Sequence, residues 1–429
     1  AWFTIELRDR QTVGMQGTLA ADGVTLFTSM ILIGVCALAI LLSYEYLSAR
    51  GIHRPEYYPL LLFATAGMVL LAGANDLLMV FLGIEILSLA LYVLAAFARN
   101  DDLSQEGALK YFLLGAFSSA FLLYGIALVY GATQTTSIPG IADAAGSASS
   151  RLLFLGVGLT GVGLAFKIAA VPFHMWTPDV YQGAPTPVTA FMAAGTKAAA
   201  FAAFLRVFGV GFGALEWDWQ PILWFVAVAS MALGAVVAIV QNDVKRMLAY
   251  SSIAHAGYLL IGLLATGRDG TSSSLYYLVV YAIATLGAFG LVIASGIRGD
   301  ERLSLGSWQG LGQRSPMAAA AMTLFLLSLA GVPPTAGFMG KLFLFSAAID
   351  AGETGLVVAG VLTSVIAAFF YLRLIVMMWM QEPAAGDAGI PASPVLRGTL
   401  TLIAAGTIAF GVWPQQLMEL ARGAATFLG

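Results

Sequence analysis

Residues 152–177 read LLFLGVGLTGVGLAFKIAAVPFHMWT, and this stretch decides the fold. It is long and apolar enough to cross a bilayer as a helix, because about 20 apolar residues span the hydrocarbon core. Two residues interrupt it, Lys167 and, five positions later, Pro172. Proline removes a backbone hydrogen bond and frees a carbonyl one turn earlier, so that backbone dipoles and water can gather there. The stretch therefore predicts a broken membrane helix that carries a cation beside its break.

The composition of the whole chain also indicates a membrane protein. Of its 429 residues, 59% are hydrophobic and 10% are charged, and the mean hydropathy is +0.88. A soluble domain has about 25% charged residues, so the lipid bilayer is the expected environment. The net charge of -3 offers no polybasic face, and nucleic acid is therefore excluded as a partner.

Apolar stretches of about 20 residues predict twelve transmembrane spans. They comprise residues 24–43, 57–74, 77–98, 107–131, 152–177, 184–209, 221–240, 246–266, 273–297, 316–349, 355–380 and 396–418. Short connections, such as residues 74–76, leave little room for another domain. The predicted fold is therefore one all-α, polytopic membrane domain. No signal-peptide pattern follows Ala1, and we expect the true N-terminus to be missing.

Basic residues in the loops predict the orientation of the chain. The loops after the odd-numbered spans hold nine of them: Arg50, Arg54, Arg99, Lys245, Arg246, Arg298, Arg302, Arg314 and Arg397. The other loops and both tails hold five: Arg8, Arg10, Arg151, Arg268 and Arg422. By the positive-inside rule the first set is cytoplasmic and both chain ends face outward. We interpret Lys245, beside Asp243 and Arg246, as a topology signal and nothing more.

Two of the predicted spans are broken by proline, and their positions predict an internal repeat. The fifth span breaks at Pro172 and the tenth at residues 333–334, with Lys167 before the first break and Lys341 after the second. Spans two to six and seven to eleven form two groups of five, and an odd number of crossings inverts the second group. The predicted organisation is an outward-facing segment (1–23), a first helix and loop (24–56), inverted repeats (57–209 and 221–380) and a C-terminal helix (396–429).

Three charged residues lie near the middle of predicted spans. Glu85 is nine residues into the third span, where a lone carboxylate needs a partner or a proton. Lys167 lies at a comparable depth and is its predicted partner, with a purely structural ion pair as the alternative. Lys197 is surrounded by small residues and lies too deep to reach either surface easily. Desolvation disfavours its charged form, so we expect it to exchange a proton.

Three further residues are candidates with stronger competing explanations. Lys341 lies toward the outer side and suits a proton exit, although snorkelling is the alternative. Lys110 follows Glu106 by one turn, so a surface ion pair or snorkelling competes with function. His255 has serine neighbours and could relay protons or pack as a hydrogen-bonded side chain. Three polar residues after the first break could orient water or cap the half-helix: His174, Asp179 and Tyr181.

Redox and metal chemistry is not expected in this chain. Cys36 is the only cysteine and there are three histidines, too few to ligate an iron-sulfur cluster or to form a structural zinc site. Residues 156–161 fit the spelling GxGxxG, but they lie inside an apolar helix with no strand before them. A dinucleotide site is therefore not expected there.

Residues 166–188, FKIAAVPFHMWTPDVYQGAPTPV, resemble the subunit N family of bacterial respiratory complex I, the proton-pumping NADH:quinone oxidoreductase. Residues 83–92, 110–130, 245–258 and 331–341 support the resemblance, which covers nearly everything after residue 20. This family belongs to the antiporter-like subunits, which share ancestry with multi-subunit Na⁺/H⁺ antiporters. The family has fourteen helices and the match starts at the third, so two N-terminal helices are expected to be absent here.

The resemblance also implies roles for the charged residues. It places Glu85 and Lys167 at the family's coupled ion pair, Lys197 at its central lysine, Lys341 at its terminal lysine and Lys110 at another membrane lysine. It implies a proton-translocating subunit of the bacterial inner membrane that couples quinone reduction by NADH to pumping. Its partners would be other membrane subunits of complex I, including neighbouring antiporter-like subunits, and its cofactors (FMN, iron-sulfur clusters and quinone) would lie in other subunits. A cation/proton antiporter subunit without a redox partner and a non-transporting membrane scaffold remain open.

Overall fold

A computed structural model describes residues 12–146, 150–265, 267–297, 301–383, 389–390 and 393–427. The predicted N-terminal segment, residues 1–23, is described from residue 12 onward. Three arginines used to predict the orientation lie outside the described residues: Arg8, Arg10 and Arg298. The described part of the segment is an antiparallel hairpin of β1 (Thr12–Gly14) and β2 (Leu19–Ala21). Asp22 follows it and caps the first helix, because its Oδ1 accepts a hydrogen bond from the Thr25 amide at 3.0 Å.

Seventeen helices form the rest of the fold within the described residues. The first eight are α1 (Gly23–Ala49), α2 (Tyr57–Ala72), α3 (Leu77–Ala95), α4 (Asp102–Thr133), α5 (Ile138–Ala144), α6 (Ser150–Ile168), α7 (Trp176–Gly183) and α8 (Thr186–Gly211). The others are α9 (Glu216–Ile239), α10 (Val244–Leu264), α11 (Gly267–Ser295), α12 (Leu311–Arg314), α13 (Pro316–Ala330), α14 (Ala336–Asp350), α15 (Thr354–Met380), α16 (Pro394–Val412) and α17 (Pro414–Ala424).

Ten helices in the described part of the chain are long and apolar enough to cross a membrane. This confirms an all-α, polytopic membrane fold. Two of the twelve predicted spans are shorter than that: α2 has 16 residues, and the tenth span is divided into α13 and α14, each of 15 residues. The central helices α8, α10 and α11 are enclosed by the others, whereas α3, α4 and α15 expose apolar faces at the edges.

The first broken helix ends where the sequence predicts. Ala169 has a left-handed backbone (φ 60°), the Ala170 amide donates to the Ala165 carbonyl at 2.9 Å, and the Ala169 amide donates to the Phe166 carbonyl at 3.1 Å. This pair of hydrogen bonds is a Schellman motif. The carbonyl of Ile168 stays available, because the residue four positions later is a proline and has no amide hydrogen to donate.

The second broken helix ends in the same way. Gly331 has a left-handed backbone (φ 84°), the Val332 amide donates to the Leu327 carbonyl at 3.0 Å, and the Gly331 amide donates to the Ser328 carbonyl at 3.1 Å. The residue four positions after Ala330 is again a proline. The two breaks are therefore built from the same backbone hydrogen bonds and leave the same carbonyl available.

Two similar loop contacts lie outside the helices. An Asn-Asp pair precedes both α3 and α10, and in each case the aspartate side chain caps the helix. Asp76 forms an isolated antiparallel bridge with Ser137, and Asp243 forms one with Ser304. Each bridge joins the start of one helix to the loop after the next long helix. The first and second halves of the chain thus share a loop contact as well as a helix break.

Candidate functional site

Lys197 lies in the interior of the helix bundle. It follows a π turn at Met192–Thr196 in α8, and only 2% of the residue is exposed. Its Nζ donates to the Ser252 carbonyl at 2.6 Å and to the Ile168 carbonyl at 3.3 Å. The Tyr281 ring centroid is 5.4 Å from Nζ. The ammonium group is therefore held by neutral oxygens and an aromatic face, one of the oxygens being the available carbonyl of the first break.

Lys341 is held in the same manner at the second break. It is buried in α14, and its Nζ donates to the Ala330 carbonyl at 2.9 Å and to the Ser364 hydroxyl at 3.1 Å. The Tyr258 ring centroid is 4.4 Å from Nζ. Among the described residues, no carboxylate lies within 4.0 Å of Lys341 or Lys197. A fixed counter-charge would keep a lysine protonated, and neither ammonium has one.

His255 lies between these two lysines and is surrounded by hydroxyl groups. Its Nδ1 is 2.7 Å from the Tyr277 hydroxyl, and its Nε2 is 3.3 Å from the Tyr371 hydroxyl. The Tyr371 hydroxyl is itself hydrogen-bonded to Ser251. Both ring nitrogens therefore have partners that can donate or accept, which is the arrangement that a relay requires.

Two tyrosines connect His255 to the lysine environments. The Tyr281 ring centroid is 5.1 Å from that of His255, and its hydroxyl donates to the Ser252 hydroxyl at 2.8 Å. On the other side, the Tyr258 ring centroid is 5.7 Å from His255, and its hydroxyl accepts from Ser364 at 2.9 Å. Ser252 also binds the first lysine through its backbone carbonyl, and Ser364 binds the second through its hydroxyl. Hydrogen bonds and ring contacts thus connect the surroundings of the two buried lysines through His255.

Lys167 lies in a pocket of aromatic rings at the C-terminal end of α6. It is buried, and its Nζ is 5.3 Å from the Tyr111 ring centroid, 5.8 Å from that of Phe166 and 6.0 Å from that of Tyr92. These distances are typical of cation–π attraction, which strengthens when the cation is desolvated. No described carboxylate lies within 4.0 Å of Nζ. The sequence pointed to the lysine but gave no sign of its aromatic surroundings.

Glu85 does not contact Lys167 in the structure. It lies at the edge of the bundle, half-buried, and accepts a short hydrogen bond from the Ser119 hydroxyl. The sequence-based prediction placed these two charges together in mid-membrane. The structure instead puts the carboxylate between α3 and α4 and the ammonium among aromatic rings.

Lys110 forms the surface ion pair that we gave as one explanation for it. Its Nζ is 2.6 Å from Glu106 Oε1 and 2.6 Å from Asp179 Oδ2, and its side chain is 42% exposed. The other Asp179 oxygen is 2.7 Å from Arg246 Nη1. Asp179 therefore links the half-helix α7 to both α4 and α10 through ion pairs. Tyr181, also after the break, has its hydroxyl 3.5 Å from that of Ser252.

Lys245 corrects our interpretation of it as only a topology signal. It is 2% exposed and donates to the Ala184 carbonyl at 2.7 Å. The interpretation was wrong because it placed Lys245 in a loop. Asp243 is the N-cap of α10, so Lys245 lies in the first helical turn and points inward.

The sequence analysis missed a buried ion pair at the end of α8. Arg206 binds Asp22 through two parallel hydrogen bonds of 2.6 and 2.9 Å, and the side chains are 1% and 0% exposed. The Thr25 hydroxyl accepts a further bond from Arg206 at 2.9 Å. The available signal was an arginine inside an apolar span, which needs an anion. Its partner lies 184 residues away and just before the first predicted span.

Possible metal ligands are scattered over the described residues. No three histidine, cysteine, aspartate or glutamate residues in the described ranges are grouped closely enough to hold a metal ion. Cys36 is a free, buried thiol. Residues 156–161, which spell GxGxxG, lie within α6.

Comparisons with known proteins give the context of this site. The family model "NADH:quinone oxidoreductase/Mrp antiporter, TM" matches residues 74–367. The chain is 47% identical over 440 residues to NADH-quinone oxidoreductase subunit N of Acidothermus cellulolyticus, covering 96% of this chain and 85% of that protein. It is 52% identical over 378 residues to the protein of the same name from Rhodococcus opacus, covering 87% and 70%.

Solved structures agree with these relatives. A chain of respiratory complex I from Thermus thermophilus with bound aureothin has a TM-score of 0.83 and 36% identity, covering 98% of this chain and 91% of that one. A chain of the Mrp complex from Dietzia sp. has a TM-score of 0.87 at 24% identity, covering 99% and 88%. At that identity the second likeness shows only the fold.

Proposed function

Because the chain belongs to the antiporter-like membrane subunits of NADH-quinone oxidoreductase, as a subunit N, we propose that its buried lysines relay protons driven by quinone reduction elsewhere in the complex. The chain is a multi-pass membrane component of complex I, and other complex I subunits are its partners. In this proposal the flavin, the iron-sulfur clusters and the quinone are held by those other subunits. The relay itself runs through side chains of this chain.

The observation that carries the proposal is the pairing of a buried lysine with the available carbonyl of each broken helix. Lys197 binds the Ile168 carbonyl at the first break, and Lys341 binds the Ala330 carbonyl at the second. A carbonyl dipole stabilises an ammonium group less strongly than a carboxylate does, so the proton is easier to remove. Two such sites in one bundle are costly to bury and suit a transported proton.

The proposed path leads from Lys197 to Lys341 and then to the outer side. The proton passes the hydroxyls of Ser252 and Tyr281, reaches His255, and continues beside Tyr258 to the second lysine. His255 is suited to the middle of the path because both ring nitrogens already have hydroxyl partners. We assign Lys110 no step, since its ammonium is bound by two carboxylates near the surface.

Glu85 and Lys167 form the proposed switch. Moving one charge against a membrane potential of roughly 150 mV costs about 3.5 kcal/mol, equivalent to a proton affinity change of roughly 400-fold. Two unit charges 4 Å apart interact by about 4 kcal/mol near a protein surface, so bringing this pair together or separating it changes the energy by a similar amount. We infer that quinone reduction alters this separation and thereby the proton affinity of Lys197.

The proposal also covers the repeats and the orientation. We propose that residues 57–209 and 221–380 are inverted repeats, because each contains a broken helix with the same terminal hydrogen bonds and the same Asp-to-Ser bridge. Both chain ends would face outward, as the loop arginines predict. The buried Lys245 is removed from that argument.

The edge formed by α3 and α4 is the proposed face for a neighbouring antiporter-like subunit. It exposes apolar side chains on both helices: Leu82, Leu89, Val93, Leu109, Leu113 and Phe117. Glu85 lies half-buried in this face, where pure lipid would solvate its carboxylate poorly. A neighbouring subunit can cover the carboxylate and change its surroundings, whereas the remaining apolar edges contact lipid.

Replacing Lys197 with alanine in the assembled complex tests the relay. We expect quinone-linked NADH oxidation to lose most of its proton pumping, because no other described side chain takes the place of this ammonium. The measurement is protons moved per electron in proteoliposomes, normalised to the amount of assembled complex. Lys110→Ala is the matched control and should pump almost normally, since its ion pairs are partly exposed.

The outcomes also separate the alternatives. Full pumping per electron in Lys197→Ala would overturn the relay. A scaffold would instead give less assembled complex but a normal ratio of protons to electrons. An antiporter without a redox partner would show sodium-dependent proton exchange in vesicles that receive no NADH.

A further inference from the structure

Tyr92 lies on the same side of α3 as Glu85 and reaches Lys167. It follows Glu85 by seven residues, which is two helical turns or about 10 Å along the axis. Its ring centroid is 6.0 Å from Lys167 Nζ and 4.8 Å from the Tyr111 ring centroid. Tyr92 therefore joins the aromatic pocket of the ammonium from the face of α3 that also carries the carboxylate.

Gly115 provides the room for the Tyr92 hydroxyl. A Cβ atom built on Gly115 would overlap this hydroxyl and lie 2.9 Å from the ring carbon that carries it. Gly115 is at the middle of one face of α4, four residues after Tyr111 and four before Ser119. Ser119 binds the carboxylate of Glu85, so this face of α4 leads from the carboxylate to the aromatic pocket.

The hydroxyls of Tyr92 and Tyr111 are buried and have no hydrogen-bond partner among the described residues. Ser88, one turn before Tyr92, donates its hydroxyl to the Ile84 carbonyl, so it can only accept a bond from the Tyr92 hydroxyl beside it. Buried hydroxyls are nearly always satisfied by protein or by ordered water. Two of them beside an ammonium form a polar site of the kind that holds internal water, since a water there finds several partners.

We propose that Tyr92 is a positioning residue for the Glu85 and Lys167 pair. Its hydroxyl, seated against Gly115, and that of Tyr111 hold water that accepts hydrogen bonds from Lys167 and extends toward Glu85. While they are separated, the two charges then respond to each other through this water. This inference rests on the proposed relay. It adds Tyr92 as the residue that couples Glu85 to Lys167, the two charges of the proposed switch.

Tyr92→Phe tests the inference with little change in shape, because the ring stays and only the hydroxyl is removed. We expect the number of protons pumped per electron to fall by about tenfold in the assembled complex. The KM for quinone should stay unchanged. Tyr124→Phe, an exposed tyrosine of α4, is the matched control and should behave as the unmodified protein. A merely structural role would reduce assembly without changing the ratio of protons to electrons.

Gly115→Ala provides a second, steric test. The added methyl group should push the Tyr92 hydroxyl away and reproduce the pumping defect of Tyr92→Phe, and the double variant should lose little more than either single one. Gly158→Ala is the control, since a Cβ there meets nothing within 4 Å. If the complex with Gly115→Ala fails to assemble, the Tyr92→Phe variant still tests the role of the Tyr92 hydroxyl.

Normal pumping in Tyr92→Phe overturns the inference. If Lys197→Ala loses pumping at the same time, only the role of Tyr92 is wrong. If Lys197→Ala also pumps normally, the relay itself is wrong. A defect in Tyr92→Phe that appears equally in Tyr124→Phe also counts against the inference, because the loss then follows any tyrosine hydroxyl of this edge.

Discussion

The two broken helices share one backbone motif but carry different charges around it. Two positions before the left-handed residue, the first helix has Lys167 and the second has Leu329. Ten positions after it, the first has Asp179 and the second has Lys341. The second break thus receives a cation from its own half-helix, whereas the corresponding position of the first half-helix holds an acid in two surface ion pairs.

This difference explains which lysine binds which carbonyl. The carbonyl of Ile168 has no cation on its own half-helix and is met by Lys197 from α8. The carbonyl of Ala330 is met across its own break by Lys341. Lys167, the lysine of the first broken helix itself, binds neither carbonyl and lies among aromatic rings. Lysines of two different helices therefore belong to the first break, one on its carbonyl and one in the aromatic pocket, whereas the second break is met by a single lysine of its own half-helix.

Leu329→Lys should reduce the amount of assembled complex more than any other change proposed for the two breaks. It gives the second break the charge that Lys167 gives the first, but without the aromatic pocket that surrounds Lys167. Leu329 is 3% exposed, and a buried charge without a partner costs several kcal/mol. We expect the amount of assembled complex to fall sharply, as measured by native electrophoresis. Leu329→Met is the control and should cost less than about 1.5 kcal/mol. Normal assembly of Leu329→Lys would mean that this break tolerates a second cation and that the aromatic rings of the first are dispensable.

Lys167→Leu makes the first break resemble the second and should separate stability from pumping. Lys167 has no described carboxylate within 4.0 Å, so an apolar side chain of similar volume removes a desolvation cost without leaving a contacting charge unpaired, and the thermal stability of the complex should be unchanged or slightly higher. Pumping per electron should fall, because the switch loses its cation. Lys110→Leu controls for the loss of a lysine near the surface. A large drop in thermal stability would show that Lys167 holds the fold together instead.

The smallest expected effect concerns the two left-handed residues. Gly331→Ala places a Cβ 2.9 Å from the Lys341 Cδ in a backbone conformation that disfavours side chains, and we expect a loss of about 1–2 kcal/mol. The reciprocal change, Ala169→Gly, should alter stability by less than about 1 kcal/mol, since relieved strain and added chain entropy oppose each other. Thermal unfolding of the complex measures both. Equal losses at the two positions would mean that the close approach of Lys341 Cδ does not determine the cost of Gly331→Ala.

Sequence reasoning located both breaks and placed Lys341 beside the second, but it did not bring Lys197 to the first. A proline four residues after a carbonyl leaves that carbonyl without its helical donor, so Pro172 and Pro334 predict both breaks from local rules. The partner of the Ile168 carbonyl depends on how distant helices pack, because Lys197 reaches it across 29 positions of sequence, whereas Lys341 belongs to the half-helix that follows its own break. The inward orientation of Lys245 was missed for a local reason, because the helix cap at Asp243 was not recognised.

The separation of Glu85 from Lys167 and the aromatic pocket could not be predicted, because both depend on the packing of α3 and α4 against the first broken helix. Depth in the membrane was the only coordinate that the sequence offered for these residues. Equal depth places two charges in one layer without placing them side by side. The division into repeats at residues 57–209 and 221–380 remains a prediction.

The buried pair of Arg206 and Asp22 has an evolutionary consequence. Replacing Asp22 alone leaves the buried Arg206 as an uncompensated charge in the interior, a loss of about 3–5 kcal/mol. A chain of ordinary marginal stability tolerates such a loss poorly. The two positions, 184 residues apart, are therefore expected to be inherited together or exchanged together across related sequences, as if they were a single site.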